Sequence, residues 1–363
     1  MTPAYQQQLD VKIAQLTAGL EPFTQAPIEV FASPEQHYRM RAEFKIWQDY
    51  THNCCQYAMF EAGSNRKSYT LETFPAASKG INQVMPELIA AINRDECLRR
   101  KLFQIEFLSS TQGEVLASLI YHRPLDDAWQ AAAHQVAQAL NIHIVGRARG
   151  SKRVISQDYV LQTFSVNGRD YSYRHSENSF TQPNGPVCAQ MLNWADQQAR
   201  QIAEGNNCDL LELYCGNGNF TLPLSHHFRK VLANEIAKIS LQDAQYNMAQ
   251  NNIHTIQLAR MSSEELTQAL LGTREFRRLE GVNLRDYQFG CVFVDPPRAG
   301  LDGATLEFIR QFPFIIYISC NHHTLTANLA ELDKTHQVEH AALFDQFPFT
   351  EHMEAGVVLK RRA

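Results

Sequence analysis

Long apolar runs are missing from this chain of 363 residues; the longest are of the size of Ile315-Ile316-Tyr317-Ile318, far short of the roughly 20 residues a membrane-crossing helix needs. A membrane-spanning protein is excluded. The first twenty residues, MTPAYQQQLDVKIAQLTAGL, mix Gln, Asp and Lys among spaced apolar positions, so no apolar export core is present and the expected location is the cytoplasm. The eight cysteines, at 54, 55, 97, 188, 208, 215, 291 and 320, include no pair at C-x-x-C spacing. Neither a zinc site nor a disulfide framework is expected, and most of these cysteines read as small buried hydrophobes. Internal repeats, low-complexity tracts and a Gly/Ser-rich linker are also lacking.

There is no basic excess either. The net charge is −5, which argues against a chain coated with cations for non-specific nucleic-acid binding. The charge is uneven, however. Residues 1–175 carry 18 Lys+Arg against 17 Asp+Glu, and residues 176–363 carry 15 against 21. Within the first part the cations cluster as Arg39/Arg41/Lys45, Arg66-Lys67, Arg99-Arg100-Lys101 and Arg147/Arg149/Lys152/Arg153, each able to form a phosphate-binding patch or to be a solvated face.

What is present is an ordinary globular composition, 44% hydrophobic and 20% charged, long enough for two domains. Residues 176–363 alternate short apolar runs with helix-like stretches. The runs lie at Cys208–Tyr214, Lys230–Glu235, Thr255–Arg260, Cys291–Val294 and Phe314–Cys320, the pattern of a parallel sheet covered on both faces. Two more, Glu339–Phe344 and Gly356–Lys360, are joined by too few residues for a crossover helix, so the last pair is expected to be antiparallel. The prediction is an α/β domain, a doubly wound Rossmann-like sheet of seven strands with a terminal hairpin.

Residues 1–175 read as an α+β domain. Helices are expected near 3–19, 76–91 and 126–140, and strands near 38–47, 56–61, 66–71, 103–108, 115–121 and 143–147, with a turn at Ala62-Gly63-Ser64-Asn65. The boundary at 175 is a working cut, and the two domains are free to interleave.

Three motifs sit where the apolar runs of the second part end. Glu212-Leu-Tyr214-Cys-Gly216-Asn-Gly218-Asn219-Phe220 follows the first run, and glycines there let backbone approach a ligand closely. Glu235 ends the next run, 19 residues beyond Gly216, where a carboxylate can accept hydrogen bonds from ribose hydroxyls. The dinucleotide fingerprint needs a third glycine at the position held here by Thr221, so S-adenosylmethionine is favoured over a nicotinamide cofactor. The second motif, Asp295-Pro296-Pro297-Arg298, closes a strand with a carboxylate and two rigid prolines. The third, Ser319-Cys320-Asn321, puts a thiol at the carboxyl end of the following strand, a nucleophile by position or one more inert cysteine.

Together, residues 212–220, 293–300, 317–321 and Phe347-Pro-Phe-Thr-Glu-His-Met-Glu354 resemble the successive motifs of RNA uracil-5 methyltransferases. Ser33-Pro-Glu-Gln-His-Tyr-Arg-Met-Arg41 and Asn178-Ser-Phe-Thr-Gln182 extend the likeness to the tRNA-modifying branch over nearly the whole chain. The resemblance implies a class I methyltransferase domain at 176–363 and an RNA-binding domain at 1–175. It implies transfer of a methyl group to C5 of the T-loop uridine, position 54, of tRNA. Gln182, Tyr214, Gly216, Gly218, Asn219, Glu235 and Asp295 would bind S-adenosylmethionine, Cys320 would be the nucleophile and Glu354 the proton acceptor. The four-cysteine iron–sulfur site of relatives acting on ribosomal RNA has no counterpart, and no metal is expected.

Arg298 could stabilise enolate charge, hold a phosphate, or pair with a carboxylate. A local positive potential is expected to favour the Cys320 thiolate. Arg39, Arg41, Lys101 and Phe103 are candidate RNA contacts, Phe103 as a wedge filling the space a flipped base leaves. The expected partner is the tRNA T-arm, with other RNAs of T-loop-like fold as further substrates, and the protein is expected to be a monomer. The competing readings are an RNA cytosine-5 methyltransferase and a non-catalytic RNA-binding or RNA-folding protein.

Overall fold

The computed structural model describes residues 1–60 and 68–362. The expected turn at 62–65 and the Arg66-Lys67 cluster lie outside the described residues. The chain forms two compact units, one of Met1–Glu35, Phe164–Tyr173 and Ser179–Ala363, the other of Gln36–Thr163 and Arg174–Asn178. Neither unit is a continuous stretch, so no single cut near 175 separates them.

Helix α1 (Pro3–Leu20) opens the chain, with Thr2 as its N-cap, accepting from Tyr5 N; strand β1 (Ile28–Phe31) follows. The second unit then runs through β2 (Arg41–Asp49), β3 (Cys54–Phe60), β4 (Ser68–Leu71), α2 (Lys79–Arg94), the single turn α3 (Glu96–Arg99), β5 (Leu102–Ser109), β6 (Val115–Tyr121), α4 (Asp127–Leu140), β7 (His143–Ala148) and β8 (Ser151–Ile155). Its seven strands are ordered β4-β3-β2-β5-β6-β7-β8. All neighbours are antiparallel except β6 and β7, which α4 connects as a crossover. Alternation sets the faces: Ala42 and Phe44 of β2 are buried while Glu43, Lys45 and Trp47 are exposed. The buried side packs with Ile81, Met85 and Leu88 of α2 and Trp129 of α4 into one core.

A hairpin of β9 (Tyr159–Val166) and β10 (Arg169–Ser176) follows. It was not anticipated from sequence, nor was β8. Then come α5 (Gly185–Ala203), β11 (Asp209–Leu213), the single turn α6 (Thr221–Leu224), β12 (Val231–Asn234), α7 (Lys238–Gln250), β13 (Ile256–Ala259), α8 (Ser263–Leu270), β14 (Phe289–Val294), α9 (Gly303–Ile309), β15 (Phe314–Ser319), α10 (His322–Leu332), β16 (His336–Phe344) and β17 (Glu354–Arg361). The order across the sheet of this unit is β1-β16-β17-β15-β14-β11-β12-β13.

All seven expected strands are there, and the terminal pair is antiparallel. An eighth, β1, pairs parallel to β16 although it comes from the segment that the sequence reading assigned to the other domain. Cores lie on both faces, as the uninterrupted apolar strands require. One packs Leu9, Leu16 and Leu20 of α1 with Leu325 and Leu329 of α10; the other packs Val187, Met191 and Trp194 of α5 with Tyr171 and Tyr173.

Candidate active site

The parallel strands β11, β12, β14 and β15 all finish at one edge, and Tyr214, Glu235, Asp295 and Cys320 each stand just past the end of one of them. After β11 the chain turns sharply through positive φ at Tyr214 (66°), Gly216 (57°) and Gly218 (83°). At Gly218 a Cβ would lie 2.7 Å from Leu222 Cδ1, so glycine is required by space as well as by φ. Glu235 accepts hydrogen bonds from Gly216 N at 3.0 Å and Ala237 N at 2.7 Å. The Tyr214 hydroxyl accepts from Ser263 Oγ at 2.6 Å. Tyr173 donates to the Asn219 carbonyl at 3.0 Å, and Asn219 Nδ2 lies 3.6 Å from Cys188 Sγ. Ser263, Tyr173 and Cys188 were missed from sequence because they are far from the glycine turn along the chain. Gln182 is half-buried, two residues before Asn184, the N-cap of α5.

Glu212 on β11 is 1% exposed and Asp295, just past β14, is half-buried. Burial pushes Glu212 up to about 8 and Asp295 up to about 7, and Glu212 Oε2 has no hydrogen-bond partner among the described residues. Thr221 is fully buried where a dinucleotide-binding turn would carry glycine. A close-approach turn without that glycine stands next to a carboxylate at the end of β12.

Strand β17 runs antiparallel between β15 and β16, with Ser319 opposite Ala355 and Phe344 opposite Glu354. Cys320 and Glu354 therefore flank the same end of the β15–β17 ladder. Glu354 is buried, 4% exposed. Its Oε2 lacks a hydrogen-bond partner among the described residues, and burial, reinforced by Asp295 and opposed by Arg298, raises its carboxyl well above the usual range.

Cys320 is half-buried. Its thiol is pushed up to about 11, first by burial and then by Glu354 and Asp295, with Arg298 acting in the opposite direction. The expected positive potential is thus present as one residue, Arg298, but in the free chain burial and the two carboxyls outweigh it. The Arg298 side chain is exposed and makes no hydrogen bond or ion pair among the described residues; its carbonyl is held by Asn321 Nδ2 at 3.1 Å. Arg298, Cys320, His322, His323 and His352 line a cavity of about 750 Å³.

The four RNA-contact candidates separate. Phe103 is 38% exposed and stacks on His122 at 4.2 Å with 22° between planes. Lys45 Nζ lies 4.3 Å from the Phe103 ring centre. Lys101 is exposed beside it, and Arg100, Lys101, Phe103 and His122 share a cavity of about 390 Å³. Sequence reasoning missed His122, since nothing local ties it to Phe103. Arg41 is half-buried and already engaged: its guanidinium donates to the Glu177 carbonyl at 2.7 Å and the Ser176 carbonyl at 3.5 Å, and burial lowers its pKa. It holds backbone within its own unit. Arg39 is half-buried and donates from Nε to the Arg41 carbonyl at 2.8 Å. Arg147 and Lys152 bind the buried Glu177 carboxylate, and Arg153 pairs with Asp127, so much of that basic cluster is internally neutralised.

The doubly wound sheet, its glycine turn and the acidic strand end define an S-adenosylmethionine-dependent methyltransferase. Residues 4–362 match the family model described as tRNA (Uracil-5-)-methyltransferase, and the chain belongs to that family; it is a tRNA uracil-C5 methyltransferase by class. The tRNA/tmRNA (uracil-C(5))-methyltransferase of Ectopseudomonas mendocina is 53% identical over 358 residues, covering 99% of this chain and 97% of its own. The same-named protein of Cellvibrio japonicus is 50% identical over 359 residues, covering 99% and 96%. The fold agrees with the solved structure of Pyrococcus abyssi tRNA (uracil-54, C5)-methyltransferase in complex with S-adenosyl-L-homocysteine: the TM-score is 0.71 at 20% identity, over 98% of this chain and 83% of that one.

Proposed function

We propose that this chain methylates C5 of the T-loop uridine, position 54, of tRNA through a covalent bond between Cys320 Sγ and C6 of the base. The observation that carries this reading is the register of β15 and β17, which brings a thiol and a buried carboxyl whose Oε2 has no hydrogen-bond partner among the described residues to one end of the same ladder. Uracil C5 is a weak nucleophile, and addition of the Cys320 thiolate at C6 delivers electron density to it. S-adenosylmethionine, when bound, supplies the electrophilic methyl group that C5 takes. Glu354, whose burial disfavours the carboxylate form, must be ionised at this stage; its carboxylate then accepts the C5 proton, the C–H electron pair re-forms the C5–C6 double bond, and Cys320 leaves as thiolate. Arg298, exposed and unpaired among the described residues, is assigned to the developing enolate or a neighbouring phosphate.

A base inside a folded loop must leave its stack to meet these groups. The Phe103–His122 stack, with Lys101 and Lys45 around it, is the proposed platform for the T-arm, and Arg39 is retained as a contact. Gln182, Tyr214, Asn219 and Asp295 complete the proposed cofactor site. The protein is proposed to act as a monomer in the cytoplasm; the names of its relatives support tmRNA as a further substrate. The test is to incubate the protein with labelled S-adenosylmethionine and unmodified tRNA, then digest the RNA and map the label. Label in 5-methyluridine at position 54, lost in Cys320→Ala, is the expected result. Label in 5-methylcytidine, or full labelling by Cys320→Ala, overturns it.

A further inference from the structure

The segment 345–353 that leads into Glu354 has no regular secondary structure, and so does not by itself fix the start of β17. Its support comes from the opposite end of the chain. On α1, residues 5, 8 and 12 fall on one helical stripe, and all three reach this segment. Asp345, fully buried, accepts from the Tyr5 hydroxyl at 2.6 Å and from Lys12 Nζ at 2.6 Å. Lys12, 1% exposed, also donates to the Phe347 carbonyl at 2.9 Å. Gln8 bridges two residues beyond Pro348, accepting from Phe349 N at 3.2 Å and donating to the Thr350 carbonyl at 3.0 Å. The Phe349 ring lies 5.5 Å from that of Tyr5, and Tyr5 accepts from Ser33 N at 2.8 Å. From the other side Asn184 N donates to Gln346 Oε1 at 3.1 Å.

We propose that Tyr5 and Lys12, through the buried carboxylate of Asp345, are positioning residues for Glu354, so that the N-terminal helix governs the step in which the C5 proton is removed. The proposal rests on the reading of Cys320 and Glu354 given above. A buried ion pair contributes little net stability compared with a well-packed apolar pair, but it accepts few geometries. Here it fixes the path of a segment nine residues before a group that must meet one carbon atom. Burial lowers the Lys12 ammonium pKa and the Asp345 contact opposes that, so removing Asp345 would leave the cation buried alone.

The step at issue comes after methyl transfer: the C5–H bond breaks, its proton goes to the Glu354 carboxylate, and its electrons re-form the double bond and expel the Cys320 thiolate. If Glu354 is displaced, addition and methyl transfer still proceed and the methylated RNA stays bonded to Cys320. A general loss of folding would instead depress every step together.

The experiment compares Tyr5→Phe, Lys12→Met and the double variant Lys12→Met/Asp345→Leu, which leaves no unpaired buried charge, with Glu354→Gln and the unaltered chain. Each is mixed with unmodified tRNA and labelled S-adenosylmethionine. Denaturing gels read the RNA–protein adduct, and multiple-turnover assays read kcat and KM. Expected are an adduct accumulating on Glu354→Gln, a weaker but clear accumulation on Lys12→Met and the double variant with kcat down about tenfold or more and KM little changed, and partial recovery in Lys12→Arg. Tyr5→Phe, which loses one hydrogen bond, is expected to show a several-fold smaller effect in the same direction. Trapping on Glu354→Gln together with normal turnover in the α1 variants overturns the positioning role alone. A fall in activity without adduct in folded α1 variants overturns it too. Absence of adduct on Glu354→Gln overturns the reading of Glu354 and this proposal with it.

Discussion

The peptide N–H of Gly216 donates to Glu235 Oε2 at 3.0 Å, tying the turn after β11 to the end of β12. Because the other Glu235 oxygen is held by Ala237 N, this one carboxylate orients both the turn and itself. Glu235→Ala is expected to weaken S-adenosylmethionine binding by about tenfold or more, the loss corresponding to hydrogen bonds to a charged group at roughly 1.5–3 kcal/mol. Glu235→Gln should recover part of it. Equilibrium dialysis with labelled cofactor checks this, and affinity for tRNA measured without cofactor should stay constant.

The thiol of Cys320 lies at about 11 in the free chain, so the fraction ionised near neutral pH is small and grows with pH. The expected profile of kcat/KM for tRNA therefore rises between pH 6.5 and 9. Arg298 favours the thiolate, so Arg298→Ala should lower the rate at pH 7.5 several-fold and move the rise to higher pH. A flat profile in both proteins would contradict the assignment.

Glu212 provides a stability test separate from catalysis. Its carboxyl is raised to about 8 in the folded chain, while an unfolded chain ionises near the ordinary 4.5. Between these values the folded state holds a proton that the unfolded state has lost, so this group's contribution to stability falls as pH rises through that window. Denaturant melts of Glu212→Gln should lose less stability between pH 5 and 8 than melts of the unaltered chain.

Phe103 and His122 form a two-ring stack with Lys45 over the phenyl ring. Aromatic stacking on a base contributes roughly 1–3 kcal/mol, so Phe103→Ala should weaken T-arm binding by about tenfold or more, in filter binding at fixed salt, while S-adenosylmethionine affinity is unchanged. Unchanged RNA affinity and methylation would reject the wedge.

Strand ends are written locally, and that made the cofactor edge legible. An apolar run followed by Gly216 and Gly218, by Glu235, or by Asp295-Pro296 marks a strand and its terminus within a few residues. The second unit was legible for the same reason wherever alternation was clean, as in β2, where Phe44 is buried between exposed Glu43 and Lys45. Charge was harder to read. Arg41 and Arg298 look alike in sequence, yet one donates to backbone carbonyls and the other is exposed, because which cations are consumed internally depends on what packs beside them.

The amino-acid order by itself determined the sheet type and the ends of its parallel strands, since local periodicity and turn residues encode those directly, and the family likeness added the class of reaction. Tertiary structure alone decided that residues 1–35 belong with the C-terminal sheet, that β17 lies between β15 and β16, and that Glu354 is buried. Those outcomes depend on pairings between residues hundreds of positions apart, such as Lys12 with Asp345, whose geometry no local pattern specifies.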